Sequence, residues 1–95
     1  MGFFNAMSSI GKMNKLLKET ENKLKLISFY VENGNSKTIL EEEVAHLKGL
    51  QNQMCDVLTN SAGARVATYS FLGKNCKALD VLMFLEKVIR DIDNQ

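Results

Sequence analysis

The sequence predicts an all-α protein: an antiparallel helical bundle of three long helices plus one short helix, the first two forming a long helical hairpin. Three observations carry that expectation. Proline is absent from all 95 residues, so no pyrrolidine ring interrupts a helix. An apolar residue recurs at every seventh position from Phe3 to Val31. A turn-forming cluster, Asn33-Gly34-Asn35-Ser36, then separates that run from a second helical stripe.

The first helix is expected over 3–32. Phe3, Ile10, Leu17, Leu24 and Val31 keep the heptad spacing, and Ala6, Met13, Thr20 and Ile27 fill the position three further on. This is an a/d pattern with one polar d position, Thr20. Its period favours a nearly parallel or antiparallel helix pairing over a steep crossing. Gly11 lies inside the run and weakens it by about 1 kcal/mol relative to alanine. At a rise of about 1.5 Å per residue the helix spans about 45 Å.

Gly34 or a neighbouring Asn can take the left-handed conformation that closes a helix C-terminus. Thr38 followed by Glu41 reads as a capping box, with Glu41, Glu42 and Glu43 on a first turn whose dipole favours negative charge. The second helix is expected over about 38–60, striped by Leu40, Val44, Leu47, Leu50, Met54, Val57 and Leu58. Beyond it, Ser61-Ala62-Gly63-Ala64 weakens the helix and Gly73-Lys74-Asn75 marks another break. The segment between them, 65–72, alternates like a strand, but no partner strand is evident, so a short helix is expected there. The last helix is expected over about 76–92. Leu79, Leu82, Leu85, Ile89 and Ile92 form one face, and Val81, Met83, Phe84 and Val88 widen it. Such breadth predicts burial on more than one side.

One domain accounts for a chain of this length, and folding should bury about 60–65% of the surface the unfolded chain exposes. The 45% hydrophobic and 24% charged fractions are those of an ordinary globular protein. Net charge is +1, too small to create a field that recruits nucleic acid or anionic lipid. The charge is nevertheless divided. Residues 1–30 hold five Lys against two Glu, and residues 31–60 hold two Lys against four Glu and one Asp. Opposite signs on the two arms favour their lying together.

The expected helix lengths do not match. Folded back from the turn, the second helix reaches the level of residues 8–10, leaving Phe3, Phe4 and Met7 beyond its end. Either Tyr69, Phe71 and Leu72 cover this tip, or it forms a contact patch. The second option makes Phe3, Phe4, Met7 and Ile10 the candidate partner-binding residues, with a protein partner or a second copy of the chain as occupant. The same segment, followed by Lys12, Lys15 and Lys18, has the amphipathic form of a membrane-surface helix, which is the alternative reading.

No enzymatic site is expected. Glu43 and His46 share a helix face at Glu-x-x-His spacing, as in di-iron bundles. One histidine leaves that set incomplete without a symmetric dimer, and the same residues equally form a solvated acidic turn. No metal or other cofactor is therefore expected. Nucleophile elbows, paired-cysteine motifs and glycine-rich phosphate loops are all missing from the sequence. Nucleic-acid binding is not expected either, because Lys12, Lys15, Lys18, Lys23 and Lys25 lack interleaved aromatics and accompanying arginines.

Cys55 and Cys76 stand 21 positions apart without further ligands and read as reduced thiols behaving as small hydrophobes. The longest apolar run, Val81–Leu85, falls far short of the about 20 residues of a spanning helix. The N-terminus has no basic region before Lys12, which argues against a secretory leader, and Ala6 stands where a myristoylation signal requires Ser or Thr. Cytoplasm is the expected compartment. The function expected is a non-enzymatic protein–protein interaction or assembly module.

Overall fold

The computed structural model describes residues 2–34 and 36–94, with side chains from Ser8 onward. Helices dominate. Helix α1 (Gly2–Glu32) and helix α2 (Lys37–Asn60) are followed by a five-residue helix α3 (Ala62–Val66). A hairpin of β1 (Thr68–Phe71) and β2 (Lys74–Lys77) then leads into helix α4 (Ala78–Asp93).

The 31-residue α1 sets the long dimension of the molecule, 48 Å. Its heptad stripe is largely inward. Met13, Leu17, Thr20 and Ile27 are buried, while Ile10 and Leu24 are half-buried against the same core. The polar d position is satisfied locally, since the Thr20 hydroxyl donates to the Leu16 carbonyl at 2.8 Å. The stripe departs from the heptad at two places. Leu16, outside the a/d set, is only 6% exposed because α3 and β1 also pack on α1. Val31 lies close to the helix end and is exposed, so the seam stops short of it.

Gly34 closes α1 with φ 63°, its N–H donating to the Val31 carbonyl at 3.2 Å. The start of α2 differs from the expected capping box. Ser36, not Thr38, is the N-cap, and its hydroxyl accepts from the Ile39 N–H at 3.4 Å. Glu41–Glu43 are consequently displaced from the first turn. Val44, Leu47, Leu50, Met54, Val57 and Leu58 are buried as the stripe predicts, and Leu40 is half-buried against them.

Between α1 and α2, Lys23 Nζ and Glu43 Oε2 meet at 2.6 Å with both side chains largely shielded. Ser9 and Lys12 share a shallow depression with Asp56 and Asn60, close to the end of α2. Glu43→Ala should destabilise the fold by about 1–2 kcal/mol, because it strands a shielded ammonium. The swap Lys23→Glu with Glu43→Lys should recover half or more of that loss in urea titrations, and no recovery would mean that the contact is dispensable.

Residues 61–77 add a small two-stranded sheet to the mostly helical fold. Ser61 takes an extended conformation (φ −144°), ends α2, and accepts from the Ala64 N–H at 3.1 Å to start α3. The expected short helix over 65–72 is replaced by the end of α3 and by β1. The partner strand, of which the sequence carries no sign, is β2, in the register Thr68↔Lys77, Tyr69↔Cys76, Ser70↔Asn75 and Phe71↔Lys74. Leu72 and Gly73 make the two-residue connection with φ 53° and 80°, the left-handed pair that matches strand twist. Leucine at such φ costs about 1–2 kcal/mol. The turn is held from outside, where Glu21 of α1 accepts the Leu72 N–H at 2.9 Å.

Helix α4 begins at Ala78, two residues later than expected, because Cys76 and Lys77 still belong to the β2 ladder. The Asp80 carboxylate accepts the Lys77 N–H at 3.2 Å and caps the helix start. Ala78, Val81, Leu85 and Ile89 are buried. The breadth of the apolar surface does not mean burial on several sides. Leu79 is 62% and Met83 65% exposed, since α2, α3 and the hairpin all meet α4 on its inner side. Among the described residues no helix is long and apolar enough to cross a membrane.

Candidate functional site

The feature that local sequence does not account for is the uncovered apolar surface of α4 and the hairpin turn. A helix advances about 100° per residue, so Leu79 and Met83 fall on one outer line, one turn apart. Phe84 lies further round, towards the hairpin, where its ring meets Phe71 edge-on at a centroid distance of 6.3 Å. Phe71 is buried, yet Phe84 remains 43% and Leu72 45% exposed.

Beneath the turn, Phe71, Leu72, Cys76, Val81 and Phe84 wall a groove of about 380 Å³ flanked by Lys74 and Asp80. The pleat explains its composition. Tyr69, Phe71, Lys74 and Cys76 share one face of the hairpin, which is turned to the helices, and Thr68, Ser70, Asn75 and Lys77 share the exposed face. Tyr69 anchors the inner face, donating its hydroxyl to the Ala64 carbonyl at 2.8 Å. The outer face is braced by Lys77, whose ammonium donates to the Val66 carbonyl and to the Thr68 hydroxyl.

Burial, reinforced by the nearby Asp80 carboxylate, pushes the Cys76 thiol up from its usual value, away from the reactive thiolate. Cys55 is exposed on α2, and both cysteines are free.

The sequence-derived candidates distribute as follows. Phe3, Phe4 and Met7 lie on α1, but their side chains fall outside the described residues. Ile10 is half-buried against the core. Glu43 is engaged by Lys23, and His46 is exposed, sharing a shallow depression with Glu19 and Asn22. Among the described residues no group of three or more His, Cys, Asp or Glu side chains comes together to hold a metal ion. Lys12, Lys15, Lys18 and Lys25 are exposed along α1. The segment Val81–Leu85, read as core, is divided: Val81 and Leu85 are buried, Leu82 is half-buried, and Met83 and Phe84 face outward.

Sequence reasoning does not single out Leu72, Leu79, Met83 and Phe84 as a surface. The one signal it offers is the excess width of the α4 stripe, which indicates either deep burial or a face that awaits a partner. Comparison with protein-family models, with curated proteins and with solved structures finds no match.

Proposed function

We propose that the chain is a non-enzymatic protein–protein interaction module: an antiparallel helical bundle that binds a protein partner through the outer side of α4 and the hairpin turn. The observation that carries this reading is the exposure of Leu79 and Met83, 62% and 65%, beside the half-open Phe84–Leu72 groove. Large apolar side chains gathered on one side of a small domain gain free energy when a partner removes them from water, about 25 cal/mol per Å² covered. Phe3, Phe4, Met7 and Ile10 remain in the proposal as a second contact region, for a protein or a second copy of the chain. The proposed setting is the cytoplasm, where Cys55 and Cys76 stay reduced.

Photo-crosslinking in the native cell tests this. A crosslinking amino acid replacing Met83 should yield discrete covalent adducts that the same group at the exposed, polar Asn22 does not, and Leu79→Asp should suppress them. Equal adducts from both positions, or none from position 83, would overturn the reading. Sedimentation with anionic vesicles that is lost on replacing Phe3 and Phe4 by Ala would put the membrane-surface alternative in its place.

A further inference from the structure

We infer that the open edge of β2 and the groove beside it accept an extended, acidic and apolar segment of a partner protein as a third strand. The inference rests on the interaction-module reading and specifies what that face binds. Its first support is backbone direction. In a two-residue hairpin the pairs Phe71–Lys74 and Tyr69–Cys76 exchange their N–H and C=O bonds with each other. The intervening Asn75 then turns its own N–H and C=O outward, away from β1. No described backbone bond outside the helices and strands involves Asn75, whose side chain is exposed. The next outward N–H, that of Lys77, is already taken by Asp80. β1 packs on both α1 and α4, and Glu21 of α1 holds the turn, whereas the main helix contact of β2 is α4.

The second support is what lies under that edge. A strand added beside β2 points every second side chain towards the helices. Those side chains descend over the groove lined by Cys76, Val81 and Phe84. An apolar residue at the inward position beside Cys76 fits this wall, and an acidic residue at the next inward position meets Lys74, which shares the face of Cys76 and flanks the groove, while the main chain bonds to Asn75. This is the recognition mode in which backbone bonds give affinity and pockets for alternate side chains give specificity.

Charge selects the occupant. Two copies of β2 can bond through their free edges with Asn75 opposite Asn75, the antiparallel register that uses both outward pairs. This register sets Lys74 of one copy diagonally across from Lys74 of the other on the same face, within reach of long side chains. Like charges so placed repel, and edge lysines are a common defence against self-pairing. Lys74 carries no ion pair among the described residues. Asp80, the acid of the groove, is committed to the helix cap. An acidic segment is therefore favoured over a second copy.

The test uses the isotopically labelled full chain and a capped synthetic heptapeptide with phenylalanine at its central inward position, glutamate at the two inward positions beside it and threonine at the outward positions between them. At about 1 mM peptide, amide shifts should concentrate at Lys74–Lys77 and Phe84. Asn75→Pro removes the outward N–H and leaves the ladder to β1 intact, and it should weaken binding about tenfold. Lys74→Glu should do the same, as should replacing the peptide's glutamates by lysine. Should the proline variant fail to fold, N-methylation of the peptide at the residues whose N–H faces β2 must abolish binding, and methylation at the intervening residues must not. No shifts at that concentration, or unchanged binding to Asn75→Pro in its folded form, would overturn the inference. A dimer by light scattering that dissociates on Asn75→Pro would overturn it in favour of a second copy. Discrete crosslinks from position 83 together with a silent peptide would sink the strand-addition inference alone and leave the interaction-module reading standing.

Discussion

Leu85→Ala lowers the free energy of unfolding by about 2–5 kcal/mol, whereas Leu79→Ala changes it by within about 0.5 kcal/mol. Both residues are leucines of α4, and a sequence-based count of apolar neighbours treats them alike. Their surroundings differ. Leu85 is 0% exposed in the core with Leu17, Leu47, Leu50 and Met54, so its truncation removes buried methyl groups and leaves a cavity that rigid helices fill poorly. Leu79 stands in water and loses little when shortened. Urea titrations of the two variants measure the difference directly. Equal, large costs would mean that α4 is covered on both sides and that no free face exists.

Tyr69→Phe costs about 1–3 kcal/mol, and Tyr69→Ala about 3–5 kcal/mol. The first change removes only the hydroxyl that bonds the Ala64 carbonyl. That carbonyl sits in a five-residue helix that ends at Val66, so it has no helical N–H four residues on to replace the lost donor. The second change also empties the inner face of the hairpin. Burial raises the Tyr69 phenol above its ordinary value of 10.0, which adds a pH dependence. A folded state that holds its proton more tightly than the unfolded chain has this stability in full below about pH 10 and loses it as pH rises through the folded value. Wild type should weaken as pH rises above about 10 by more than Tyr69→Phe does. Parallel alkaline unfolding curves would show that the phenol contributes nothing.

These two predictions fall where the sequence is least explicit. The pairing of α1 with α2 is prepared by heptad spacing in one and a three-or-four spacing in the other, and by a glycine at the turn. In each case the signal lies within a few residues of the element it specifies. Even so, the N-cap of α2 is Ser36 and not Thr38, because several nearby hydroxyls compete for the same helix end and the turn geometry chooses among them.

The hairpin is hidden for a different reason. β1 alternates, with Tyr69 and Phe71 inward, but β2 reads Lys-Asn-Cys-Lys and has no apolar period. Its turn is Leu72-Gly73, without the Asn or Asp that marks a left-handed first position. Glu21, 51 residues away in sequence, holds that turn. A strand stabilised by its partner and by a distant carboxylate leaves little trace in its own residues.

By itself, then, the sequence determined the helical character of the chain, the extent of its two long helices and the identity of most of their buried residues. Periodicity and glycine conformation are local properties, and they suffice for that. The tertiary structure decided that 68–77 is a hairpin, that Glu43 is held by Lys23, and that α4 buries one side and leaves Leu79 and Met83 in water. Each of these depends on which surfaces meet. An apolar side chain carries the same hydrophobicity whether it is covered or not, so only the packing of α2, α3 and the hairpin on the inner side of α4 distinguishes the core from the face left free.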